Sequence, residues 1–175
     1  MTRQHREGPL SAEEKLLMKY LDQYALCRHK KLQLEHRKQE ILTEFDYPIS
    51  GIKYDGMPKG NKLSDSSANL AIKLDEKVAE IETKILKQKE KTAQILLEVM
   101  SVIECLPLYS RERDILELKF IDSLKWEDVC KVVSMSRSAA YKYFKDGLSK
   151  LLTFEKVQKI LEEFKQRLED EGVCS

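Results

Sequence analysis

Between Ala71 and Val102 the chain repeats one spacing without a break: Ala71, Leu74, Val78, Ile81, Ile85, Gln88, Thr92, Ile95, Val99 and Val102 follow one another at alternating steps of four and three. An average step of 3.5 residues keeps one stripe of a long helix against a neighbouring helix, and it does not fit the two-residue period of a strand. A stripe of this length needs a partner of comparable length, and the sequence supplies one upstream. Leu17, Tyr20, Tyr24, Cys27, Lys31, Leu34, Lys38, Ile41 and Phe45 keep the same steps, with two lysines that weaken the seam. Ser11 is placed to cap this helix, Glu13 and Glu14 suit the positive end of its dipole, and Pro48 lies just beyond its end.

Pro48, Gly51, Gly56, Pro58 and Gly60 interrupt the pattern, so residues 46–67 read as a loop and a second helix starts near Ser66 or Ser67. Two long heptad helices joined by a loop are most simply an antiparallel hairpin, although pairing with a partner chain fits the same spacing. Leu106 and Pro107 end the second helix, because proline lacks a donor and disfavours helical geometry in the residue before it. The predicted fold is therefore all-α: a hairpin arm over 1–105, a compact unit over 106–152, and a terminal helix from about 153 to 170 followed by a tail. That last helix carries Phe154, Val157, Leu161, Phe164 and Leu168 on one face and needs a partner surface, unless it extends the helix before it.

Residues 106–152 resolve into three short helices. Ser110 is the expected N-cap of the first, which buries Ile115, Leu118 and either Phe120 or Ile121; Ser123 is the expected cap of the second, which buries Trp126, Val129, Cys130 and Val133. The turn Ser134-Met135-Ser136 leads directly into the third. With Ser136 as N-cap, that helix turns Ala140, Phe144, Gly147, Leu148 and Leu151 inward, which leaves Arg137, Ser138, Tyr141, Lys142 and Lys145 outward. A short turn between two such helices, with small residues at Ala139 and Ala140, is the pattern of a helix-turn-helix that lays its second helix in a DNA major groove.

Charge supports this placement only locally. The chain holds 31 Lys+Arg against 30 Asp+Glu and has a formal net charge of +1, so no global field draws it to nucleic acid. Between residues 134 and 152, Arg137, Lys142, Lys145 and Lys150 stand against Asp146 alone. The expected DNA-contacting set is Ser136, Arg137, Ser138, Tyr141, Lys142 and Lys145, with Tyr141 equally able to pack and the cations equally able to hold phosphates as to read bases.

Other classes find less support. Cys27, Cys105, Cys130 and Cys174 are widely separated and contain no Cys-x-x-Cys pair; His29 and His36 lie a heptad apart, not at the three or four residues usual for metal ligands on a helix. No glycine-rich phosphate loop, nucleophile elbow or catalytic carboxylate motif occurs, so neither an enzyme nor a cofactor or metal site is expected. The basic run Arg28, His29, Lys30, Lys31 and the loop residues Lys53, Tyr54, Lys59 and Lys62 read first as solvated surface. No stretch approaches the roughly 20 apolar residues needed to span a bilayer, and a cytoplasmic protein is expected.

Leu106-Pro107, Arg111-Glu112-Arg113, Leu116-Glu117-Leu118-Lys119-Phe120, Trp126-Glu127-Asp128-Val129, Ser136, Leu148 and Leu151 together resemble sigma factor region 4. Gly147 matches the small residue usual before the leucine, whereas Ser134 replaces the usual turn glycine and Ala140 a usual valine or isoleucine. The layout of two helices around Gly56-Met57-Pro58-Lys59-Gly60 and Ser64-Asp65 also resembles phage-encoded transcriptional regulators of the RinA and ArpU type. That resemblance implies double-stranded DNA and host RNA polymerase as partners, late-gene expression as the setting, and self-association through the arm as an option. A packaging-initiation protein similar to a small terminase subunit, or a coiled-coil adaptor, is the alternative.

Overall fold

The computed structural model describes residues 9–45, 65–170 and 172. The expected loop lies outside them over 46–64, with Lys53, Tyr54, Lys59 and Lys62, as do Cys174 and the side chains of Phe45 and Ala71. Among the described residues every regular element is helical: α1 Ala12–Leu21, α2 Gln23–Phe45, α3 Asp65–Ile103, α4 Arg111–Leu116 running on into a π-helical turn over Glu117–Ile121, α5 Trp126–Val132, α6 Arg137–Leu151 and α7 Glu155–Asp170. Among these residues no helix is long and apolar enough to cross a membrane. The chain divides into two units, one of residues 28–92 and one that combines residues 1–27 with 93–175.

In the first unit the heptad stripes are the covered ones. Ile81 and Ile85 are buried, and Leu34, Lys38, Ile41, Leu74 and Val78 are half-buried. Lys38 Nζ donates to Glu82 at 2.6 Å, and Lys89 stands 3.6 Å from Glu35. The order of these pairs reverses between α2 and α3, so the two segments run antiparallel there. Lys38 thus occupies a seam position without a buried charge, its stem along the stripe and its ammonium on a carboxylate. The polar seam residues Gln88 and Thr92 are buried, and the Thr92 hydroxyl donates to the Gln88 carbonyl at 2.6 Å, one turn back in its own helix.

The second unit is built around Leu17, Leu21, Val99, Val102, Ile103, Leu106 and the apolar faces of α4 to α7. Its N-terminal helix starts as expected. The Ser11 hydroxyl accepts from the Glu14 N–H at 3.1 Å and the Glu14 carboxylate accepts from the Ser11 N–H at 2.8 Å, a capping box. The single helix expected over 11–45 is interrupted at Asp22, the C-cap of α1; the Leu26 N–H still reaches the Asp22 carbonyl at 3.1 Å, and α2 follows directly at Gln23.

The terminal helix does not extend α6. Leu152 closes α6, and α7 starts at Glu155, which leaves Phe154 at the surface between them. Val157, Leu161 and Phe164 of α7 are buried, Phe164 meets Tyr20 of α1 edge to face at 5.4 Å, and Lys156 Nζ donates to the Ser101 carbonyl at 3.1 Å. The partner surface that the amphipathic stripe of α7 required is α1, a helix from the opposite end of the chain.

Candidate nucleic-acid interface

The support beneath α6 begins with α4. Ser110 caps it, its hydroxyl accepting from the Arg113 N–H at 3.3 Å. The helix then widens: the Asp122 N–H donates to the Glu117 carbonyl at 3.1 Å, five residues back. The added residue in this turn decides the alternative that periodicity leaves open, for Phe120 is buried and Ile121 only half-buried. Gly147 lets α6 approach this helix closely, since a Cβ there would stand 3.1 Å from both Glu112 Cβ and Leu116 Cδ1.

Ser123 does not cap α5, contrary to expectation. The N-cap position is Lys125, without a side-chain cap, and Ser123 lies at φ 57° in the link that follows the π-helical turn. The reason is local: the Leu124 N–H is already used by the Leu118 carbonyl at 3.0 Å, so the chain is still closing the previous helix at Ser123. Glu127 and Asp128 provide the negative charge in the first turn of α5 instead.

The end of α5 carries more information. Ser134 takes φ 52°, the Met135 N–H donates to the Cys130 carbonyl at 3.0 Å, and the Ser134 N–H donates to the Lys131 carbonyl at 3.2 Å. These are the paired bonds of a Schellman motif, with Ser134 at its left-handed position. Serine therefore fills the conformation that favours glycine. Replacing Ser134 with glycine is expected to stabilise the unit by about 0.5–1 kcal/mol, because relief of left-handed strain outweighs the entropy of the added glycine. A thermal melt checks this; a lower melting temperature in Ser134→Gly contradicts it.

Ser136 then caps α6, its hydroxyl accepting from the Ala139 N–H at 3.3 Å. Ala140, Phe144, Gly147, Leu148 and Leu151 are the buried residues of the helix, the set that its periodicity selects. Phe144 stacks on Phe120 at 5.8 Å and meets Trp126 edge to face at 5.2 Å.

The six expected contact residues separate into two groups. Ser136, Arg137, Ser138 and Lys142 are exposed. Tyr141 and Lys145 are half-buried. The Tyr141 ring lies 5.7 Å from Trp126 and 5.8 Å from Phe144, which makes it an edge of the aromatic core. The positive charge of Lys145 helps to keep the Glu14 carboxyl ionised.

Glu14 is the residue that sequence reading missed at this site. Its side chain is 5% exposed, and besides Ser11 it accepts from the Ser149 hydroxyl at 2.6 Å. Burial pushes its carboxyl up, but the hydrogen bonds from Ser149 and Ser11 and the nearby Lys145 ammonium together hold it below the ordinary value of 4.5. Since the folded value is the lower one, the stabilisation is present above pH 4.5 and is lost as pH falls through the folded value. The melting temperature of the wild-type protein is expected to exceed that of Glu14→Gln at neutral pH, with the gap closing in acid. A gap independent of pH contradicts this. The Ser-x-x-Glu signature of the capping box is legible in sequence, whereas Ser149, 135 residues away, is not.

An ion pair removes one cation from the outward charge, with Lys150 Nζ donating to Glu112 at 2.6 Å. The hydrogen bond from Lys150 holds the Glu112 carboxyl below its ordinary value. Of the four basic residues between 134 and 152, Lys150 is paired with Glu112 and Lys145 is half-buried, whereas among the described residues Arg137 and Lys142 form no ion pair. The outward cationic surface is concentrated on the first two turns of α6. No family model matches the chain, and it has no match among the curated proteins or the solved structures.

Proposed function

We propose that residues 106–152 act as a sigma region 4-like helix-turn-helix and that the chain is a sequence-specific DNA-binding regulator of transcription of the RinA and ArpU type. In this reading α6 is the recognition helix, α2 and α3 form a hairpin arm, and host RNA polymerase is the partner at late-gene promoters. The observation that carries it is the α5–α6 link. A Schellman turn at Ser134 is followed at once by a capped helix whose first two turns expose Arg137, Ser138 and Lys142. Early residues of a recognition helix face base edges, and cations beside them meet phosphates.

The test is selection of bound duplexes from a random pool, followed by a salt series on the selected site and a scrambled one. Arg137→Ala is expected to lose roughly 10- to 100-fold in affinity for the selected site and to relax preference at one base pair. Lys142→Ala is expected to weaken both duplexes alike and to flatten the dependence of log K on log salt by about 0.9. Full retention of affinity and specificity by the double variant would overturn the assignment of α6 as reader.

A further inference from the structure

We propose that the groove between α1 and α7 seats a second copy of this chain in a two-fold dimer, so that self-association uses this groove rather than the α2–α3 arm. The floor of the groove is Leu16, Leu152, Leu161 and Leu168. Leu161 is buried, but Leu16, Leu152 and Leu168 are only half-buried, so packing on α1 leaves part of the apolar stripe of α7 open. Glu13 and Lys19 of α1 and Glu162 and Lys165 of α7 stand on the rim. All four are exposed, and among the described residues none of them forms an ion pair.

Two acids against two lysines give an acidic or a basic partner no net attraction, but their order along each helix suits a reversed copy. Glu13 and Lys19 lie three residues to either side of Leu16. A two-fold axis beside Leu16 therefore sets Glu13 against the second copy's Lys19, and Lys19 against the second copy's Glu13. On α7 the same reversal, about a point between Glu163 and Phe164, exchanges Glu162 with Lys165. Tyr20, one turn beyond Leu16, packs on Phe164 at 5.4 Å, so the two centres lie within about one turn of each other and a single axis serves both helices. This is the self-complementarity that a two-fold interface requires, in which residue i meets j and j meets i. Burial of the leucines supplies the attraction, and the rim charges fix the orientation. The dimer stands whether or not α6 reads DNA; if it does, the site consists of two inverted half-sites.

Sedimentation equilibrium of the full chain, without DNA, tests this. The wild type is expected to be a dimer that dissociates on dilution. Glu13→Lys and Lys19→Glu each set like charges against each other at two symmetry-related places, and each is expected to weaken the dimer by about tenfold or more. Mixed in equal amounts, the two variants should pair with each other at close to wild-type strength, because every facing pair is again of opposite sign. The double variant, Glu13→Lys with Lys19→Glu, should regain the dimer for the same reason. Both positions are exposed, so helicity by circular dichroism should stay native. If Glu13→Lys frays the start of α1, Glu162→Lys and Lys165→Glu make the same comparison on α7. A wild type that stays monomeric at its highest soluble concentration overturns the proposal and leaves the groove to a different protein. A dimer indifferent to the single reversals overturns it in favour of association elsewhere, and single variants whose mixture associates no better than each alone overturn the two-fold pairing.

Discussion

Truncating Phe144 to alanine is expected to cost about 3–5 kcal/mol, a large part of the stability of a unit this size. Phe144 is 1% exposed and lies between Phe120 and Trp126, so its removal opens a cavity under α6 and strips partners from both rings. Trp126, the only tryptophan in the chain, reports on it directly. Its ring is half-buried, against Phe144 and Tyr141 and beneath the Lys119 ammonium at 5.6 Å. In Phe144→Ala the emission should shift to the red and the melting transition should fall sharply. Unchanged emission and melting would remove Phe144 from the centre of the core.

Replacing Ile81 with aspartate is expected to destabilise residues 28–92 by at least about 3 kcal/mol, since it deletes a buried side chain and puts an unpartnered carboxylate in its place. Ile81 and Ile85 are the buried aliphatic residues of α3 in that unit, so little else compensates. The unit of residues 1–27 and 93–175 has its own core. Helicity by circular dichroism should therefore fall in Ile81→Asp while the Trp126 emission stays native. Loss of both signals in one transition would show that the two units unfold together, and retained helicity would show that the seam is not what holds α2 to α3.

Both variants rest on features of different legibility. The heptad stripes, the caps at Ser11, Ser110 and Ser136, and the inward face of α6 follow from local rules. A 3.5-residue spacing, a side-chain oxygen at a helix start and a 3.6-residue period constrain only residues within a few turns of one another, so they can be read along the chain. The break at Asp22, the π-helical turn that buries Phe120 rather than Ile121, and the displacement of the α5 cap from Ser123 to Lys125 could not. Each depends on backbone hydrogen bonds for which neighbouring carbonyls compete, and periodicity does not rank those competitors.

The sequence by itself determined an all-helical chain, the partition of its long stripes, and the candidate face bearing Ser136, Arg137, Ser138, Tyr141, Lys142 and Lys145. Only the tertiary structure decided which of that face remains outward. Tyr141 is taken into the aromatic core by Trp126 and Phe144, and Lys145 is half-buried. The partner of α7 was likewise decided by folding, when Tyr20 came against Phe164. The physical reason is the same in each case. An amphipathic period states that a side chain lies on a given side of its own helix, but exposure depends on which other helix packs there: α5 beside Tyr141, and α1, from the far end of the chain, beside α7.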